Sequence, residues 1–96
     1  MKFSFVILHY NVIKETIQCI ESIKENINSN FDIIVVDNAS PNQSGVLLKE
    51  RYASENRIYI LLNEKNEGFA RGNNIGISFS REHLNPDFII VINNDT

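Results

Sequence analysis

The sequence predicts an α/β protein, a Rossmann-like parallel sheet with flanking helices. Three observations carry that prediction. Four short apolar segments rich in β-formers alternate with stretches of helical periodicity. The apolar segments are continuous rather than alternating, the pattern of strands buried on both faces. The connections between them read as helical crossovers, and such crossovers join parallel strands.

Taken in order, Phe3-Ser4-Phe5-Val6-Ile7-Leu8 forms the first strand. Ile13, Ile17, Ile20, Ile23 and Ile27 then recur every three or four residues, one face of a helix with Lys14, Glu15, Glu21 and Lys24 on the others. Asn11 is the expected N-cap. Ile33-Ile34-Val35-Val36 is the second strand, with Asp37 at its end, and Ser40-Pro41-Asn42 marks the loop that follows. Val46, Leu47, Leu48 and Tyr52 indicate a short second helix. Arg57 to Leu62 is the third strand, and a third helix runs from about Phe69 to Glu82 until Asn85-Pro86 breaks it. Phe88-Ile89-Ile90-Val91-Ile92 is the fourth strand, leading into Asn93-Asn94-Asp95-Thr96. The order is βαβαβαβ. Gly68, Gly72 and Gly76, four residues apart, predict close approach of helix to sheet or a tight turn at Gly68.

Composition narrows the function. The 96 residues are 43% hydrophobic and 22% charged, the make-up of an ordinary globular domain or a piece of one. A net charge of −3 with scattered Lys and Arg argues against nucleic acid, whose phosphates demand a basic face. The single cysteine, Cys19, permits no intrachain disulfide and reads as a small buried hydrophobe. No signal peptide is evident, and no apolar run approaches the ~20 residues of a membrane span. The expected compartment is the cytoplasm, with membrane association through other parts of a longer protein.

Ligands of open α/β sheets bind outside the carboxyl ends of the strands. Those ends are polar here: His9-Tyr10-Asn11, Asp37-Asn38-Ala39-Ser40, the stretch with Asn63, Glu64, Asn66 and Gly68, and Asn93-Asn94-Asp95. In a parallel sheet they gather on one edge and form a polar ligand site. Neither G-x-G-x-x-G nor G-x-x-x-x-G-K follows the first strand, so phosphates need another partner. A divalent cation, Mg²⁺ or Mn²⁺, on Asp95 is the candidate, since hard cations favour carboxylate oxygens and bridge to phosphates.

Three segments carry a family resemblance: Val35-Val36-Asp37-Asn38-Ala39-Ser40, Asn66-Glu67-Gly68-Phe69-Ala70-Arg71-Gly72-Asn73-Asn74-Ile75-Gly76, and Asn93-Asn94-Asp95-Thr96. In sequence and order they resemble glycosyltransferase family 2, with the flavour of its rhamnosyltransferase-like branch. The resemblance implies the nucleotide-binding half of a GT-A fold, with strand order 3-2-1-4. It implies that Asp37 contacts the nucleotide base and that His9, Tyr10 and Asn11 line the nucleotide pocket. Arg71 lies near the basic residue that relatives place by the nucleotide, and Asn74 follows one turn later. Asn38 and Gly68, in the matched segments, belong to the same site. Asn93-Asn94-Asp95 corresponds to the D-x-D motif: Asp95 takes the metal, and Asn93 meets the metal, its water shell or the ribose, with Asn94 between them. Asn93 departs from the acidic pattern, and an amide ligates a cation without neutralising it.

The function so implied is transfer of a sugar from a UDP- or dTDP-linked donor to a polysaccharide or glycolipid acceptor, metal-dependent and inverting. The family's general base lies in a later half of the catalytic domain. Residues 1–96 are therefore expected to be the N-terminal, nucleotide-sugar-binding part of a truncated domain, able to bind and not to catalyse. The fourth strand would leave an exposed edge, so self-association is expected. The alternative is a non-catalytic α/β ligand-binding or receiver-like regulatory module. A receiver needs paired acids after the first strand, where His9-Tyr10-Asn11 stands.

Overall fold

The computed structural model describes residues 1–92. The chain folds as β1 (Lys2–His9), α1 (Ile13–Asn26), β2 (Asn30–Asp37), α2 (Ser44–Arg51), β3 (Ile58–Leu62), α3 (Gly68–His83) and β4 (Phe88–Ile92). The sheet order is β3-β2-β1-β4, with every neighbouring pair parallel. The register aligns Ile7 with Ile92, His9 with Asp37 and Asp37 with Leu62. All four strands thus end on one edge, and their exits share it.

Two apolar layers sandwich the sheet. Alternate residues of β1 and β2, among them Phe5, Ile7, Ile33 and Val35, meet Ile20 and Ile23 of α1 and Leu48 of α2. The other set, Val6, Ile34 and Val36, meets Ile75, Ile77 and Phe79 of α3. Ile7, Ile20, Ile33, Ile34 and Leu48 are fully buried, each contributing roughly 1.5–3 kcal/mol of transfer free energy. Cys19 packs against the α1 side of this core as a small hydrophobe, and burial pushes its thiol pKa up.

The glycine spacing finds its reason in α3. Gly72, Gly76 and Ser80 lie four residues apart and face Leu8, Val6 and Ser4 of β1. A Cβ on Gly76 would stand 2.5 Å from Val6 Cγ1 and 3.0 Å from Val36 Cγ2, and one on Gly72 would stand 2.5 Å from Leu8 Cδ1. The Ser80 hydroxyl donates to Ser4 Oγ at 2.5 Å. The helix backbone therefore rests almost directly on the sheet. Gly68 is a separate case: its φ is +82° with open space around the Cβ position, so backbone conformation alone requires glycine there.

Three sequence expectations change. Asn11 is not the N-cap of α1; that position is Val12, and Asn11 sits at φ 62°, a left-handed conformation that asparagine tolerates. Strand β2 begins at Asn30 rather than Ile33. Its polar start hid it: Asp32 is buried and ion-paired to Lys2 Nζ at 3.0 Å. Strand β4 is apolar without being buried on both faces. Phe88, Ile90 and Val91 remain 39–49% exposed, because only β1 flanks that strand among the described residues. The remaining boundaries differ by one or two residues.

Candidate functional site

The site is built around the paired ends of β1 and β2. His9 and Asp37 are register partners, and continuing the alternation of Ile7 and Val35 puts both side chains on the face covered by α1 and α2. His9 is fully buried. Its Nδ1 bonds Thr16 Oγ1 of α1 at 2.7 Å, and its Nε2 bonds Ser44 Oγ of α2 at 2.7 Å. Burial lowers its pKa, opposed by the Asp37 charge. A neutral ring with both nitrogens occupied and no exposed surface does not line a ligand pocket. The expectation of direct contact by His9 is corrected on that ground.

Asp37 is 6% exposed. Its Oδ1 accepts from the Ser40 backbone N–H at 3.2 Å and the Ser40 hydroxyl at 2.5 Å. The carboxylate also lies against the Cα of Gly45 in the first turn of α2. It forms one wall of an open cleft of about 280 Å³ between the start of α2 and the exit of β3, shared with Ser40, Gln43, Val46, Leu62, Asn63 and Glu64. Val46 and Leu62 are each 40% exposed and give the cleft apolar walls. The apolar pattern of α2 marked Val46 as a helix residue; its outward position became visible only in the structure.

Asn38 points to the opposite face and is 3% exposed. Its Nδ2 donates to Asn66 Oδ1 at 3.0 Å and to Gly68 O at 3.3 Å. Its Oδ1 accepts from Asn63 Nδ2 at 3.3 Å and from the Glu67 backbone N–H at 2.9 Å. The carboxamide is fully committed to holding the β3–α3 loop, so direct ligand contact by the Asn38 side chain is also corrected. Gly68 belongs to this same clamp through its carbonyl.

The β1–α1 loop is tied to the β2–α2 loop. Asn11 N–H donates to Ser40 Oγ at 2.9 Å, and Asn42 Nδ2 donates to Asn11 O at 2.9 Å. Asn11 Oδ1 is buried without a hydrogen-bond partner. Tyr10, beside it, is 44% exposed and lies outside both core clusters, so its ring is free to meet a ligand.

Arg71 and Asn74 stand elsewhere. They line a larger, shallower groove of about 540 Å³ on the α3 face, floored by Leu61, Ile75 and Phe79. The Arg71 side chain is 79% exposed and pairs with Glu67 at 3.4 Å. The structure thus places them across the sheet from Asp37, on the other flank of the β3 exit. The Asp37 cleft opens at the edge where the described strands end, the place where open α/β sheets bind ligands. Asn73, part of the second family segment but given no role there, is 7% exposed with an unpartnered buried Oδ1. It lies about 200° around the helix from Ile75, hence on the β4 flank of α3.

Asn93, Asn94 and Asp95 lie outside the described residues. Among the described residues no group of three or more His, Cys, Asp or Glu gathers as a metal set. No helix there is long and apolar enough to cross a membrane.

The model of the family described as glycosyl transferase family 2 matches residues 4–96.

The chain belongs to glycosyl transferase family 2.

This family 2 chain is 30% identical over 92 residues to the glycosyltransferase GlyG of Streptococcus pneumoniae, covering 96% of itself and 29% of that protein. It is 27% identical over 92 residues to a low-salt glycan biosynthesis hexosyltransferase of Haloferax volcanii, of which it covers 27%. Among solved structures, S. aureus TarS (residues 1–349, in complex with UDP) superposes with a TM-score of 0.78 at 22% identity, over 99% of this chain and 28% of that one. That likeness establishes the shared fold. The chain spans less than a third of each relative's length. Family 2 membership sets the receiver-like alternative aside.

Proposed function

We propose that the chain is the nucleotide-binding part of an inverting glycosyltransferase that takes a UDP- or dTDP-linked sugar and transfers it to a glycan or lipid-linked acceptor in the cytoplasm. The observation that carries this reading is the Asp37 cleft. A buried carboxylate faces two apolar walls, Val46 and Leu62, at the edge where the strand ends converge. A planar base fits between apolar walls, and a carboxylate accepts from the imide N–H of uracil or thymine. The UDP held by the related TarS structure agrees with that class of ligand.

In the reaction, the nucleoside is held by Asp37 with the help of Tyr10. Asp95 and Asn93 follow β4 in sequence and carry oxygen donors suited to a hard divalent cation. Such a cation, when bound, neutralises charge on the leaving diphosphate. A base outside residues 1–96 takes the acceptor's hydroxyl proton. The acceptor oxygen then bonds to C1 of the sugar, and the C1–O bond to the diphosphate breaks. The chain alone accordingly binds donor nucleotide without transferring sugar.

NMR titration of the labelled chain with UDP and dTDP, with and without Mg²⁺, tests this. Metal-dependent shifts at Asp37, Tyr10 and Leu62 support it. A dispersed spectrum that no nucleotide perturbs, in the chain and in the full-length enzyme alike, overturns it.

Self-association is part of the proposal. Among the described residues β4 pairs only with β1, and its other edge, with exposed Phe88, Ile90 and Val91, offers backbone groups to a second copy. Light scattering of the chain and of Ile90→Lys checks this: a concentration-dependent dimer lost on substitution supports it, and a monomer throughout removes it.

A further inference from the structure

We propose that His9 is a positioning residue that sets the Asp37 carboxylate through the first turn of α2. The inference rests on the reading of Asp37 as a nucleoside-binding group, and the geometry behind it is independent of that reading.

The imidazole spans three elements. It leaves the end of β1, bonds α1 through Thr16 and bonds the first residue of α2 through Ser44, both at 2.7 Å. Each partner is a hydroxyl that can give or accept a proton, so either neutral tautomer satisfies both bonds. An aliphatic side chain would take one hydrogen-bond partner from each of two buried hydroxyls, since Ser44 and Thr16 are 1% and 0% exposed.

The next residue after Ser44 is Gly45, whose Cα touches the Asp37 carboxylate. Asp37 is also the register partner of His9. The ring therefore fixes one side of a small closed circuit: His9 to Ser44, Ser44 to Gly45, Gly45 to Asp37, and Asp37 back to His9 across the β1–β2 ladder. Ser40 holds the carboxylate from another side through Oδ1. The first turn of α2 is thus the wall whose distance from Asp37 is set by the histidine. The Thr16 arm anchors the ring to α1.

The two arms lead to different helices, and the one to α2 leads to the wall against Asp37, so each can be tested separately. Ser44→Ala cuts the arm to α2, while Thr16→Val cuts the arm to α1. Each removes a buried hydrogen bond to the ring, and both lower stability. Affinity for UDP with Mg²⁺ is expected to fall about five-fold in Ser44→Ala, the equivalent of one such bond, and to change little in Thr16→Val. The ¹³C chemical shift of the Asp37 carboxyl at neutral pH should move in Ser44→Ala only. Equal responses in the two variants, or an unmoved Asp37 carboxyl resonance in both, overturn the proposal and leave His9 a purely structural bridge. Should Ser44→Ala not fold, Ser44→Cys, close in volume with a weaker donor, gives the same readings. If the wild-type chain and the full-length enzyme bind no UDP, the nucleotide reading fails while the Asp37 carboxyl resonance still decides the positioning role.

Discussion

The Cα of Gly45 rests against the carboxylate of Asp37, with no room for a methyl group between them. Gly45→Ala would put its Cβ inside that carboxylate. Either the first turn of α2 lifts or Asp37 rotates away from Ser40. Overpacking of this kind costs about 1–3 kcal/mol, which urea denaturation would register. Nucleotide shifts at Asp37 should vanish in the same variant; retained stability with retained binding would refute the packing argument.

Gly76→Ala is a second steric test, on the opposite face. Alanine gains roughly 1 kcal/mol over glycine in helix propensity. Its Cβ would stand 2.5 Å from Val6 Cγ1 and 3.0 Å from Val36 Cγ2, both on rigid buried strands. The overlap outweighs the propensity, so the variant should unfold at lower urea than wild type.

The pH dependence of stability follows from His9. Burial holds its folded pKa below the ordinary 6.5, against the pull of Asp37. The unfolded chain therefore binds the proton more readily, and stability present above pH 6.5 is lost as pH falls through the folded pKa. Urea midpoints measured at about pH 7.5 and about pH 5.5 should fall on acidification in wild type. The drop should be smaller in His9→Gln, which carries no titrating group there.

Tyr52 gives the alkaline counterpart. Burial, reinforced by its hydrogen bond to Glu21 Oε2 at 2.8 Å, pushes its phenol from 10.0 up to about 12. The protonated phenol stabilises the fold below pH 10, and that contribution disappears as pH rises toward 12. Difference absorbance between wild type and Tyr52→Phe should show a late tyrosinate transition. The substitution itself should cost about 1 kcal/mol at neutral pH.

The fold was largely legible because periodicity and continuous apolar runs report burial, and burial decides this sheet. The misplaced start of β2 shows the limit: Asn30 and Asp32 read as loop until the Lys2 partner of Asp32 is known. The site was legible as a set of strand exits, since a parallel sheet must gather them. Individual roles were not. His9 and Asn38 have the same residue chemistry as ligand-binding groups, and only their partners, Thr16 and Ser44 for one and the β3–α3 loop for the other, reveal internal work. Val46 and Leu62 escaped notice because apolar side chains in regular elements are expected to face inward.

The Asn38 carboxamide fastens Asn63, Asn66, Glu67 and Gly68 at once. One rim of the sheet's carboxyl edge therefore carries its own order before anything binds. An incoming molecule meets a finished surface and surrenders little chain entropy in using it. Slow amide exchange at Glu67, already present without nucleotide and abolished by Asn38→Ala, would be the mark of that preparation.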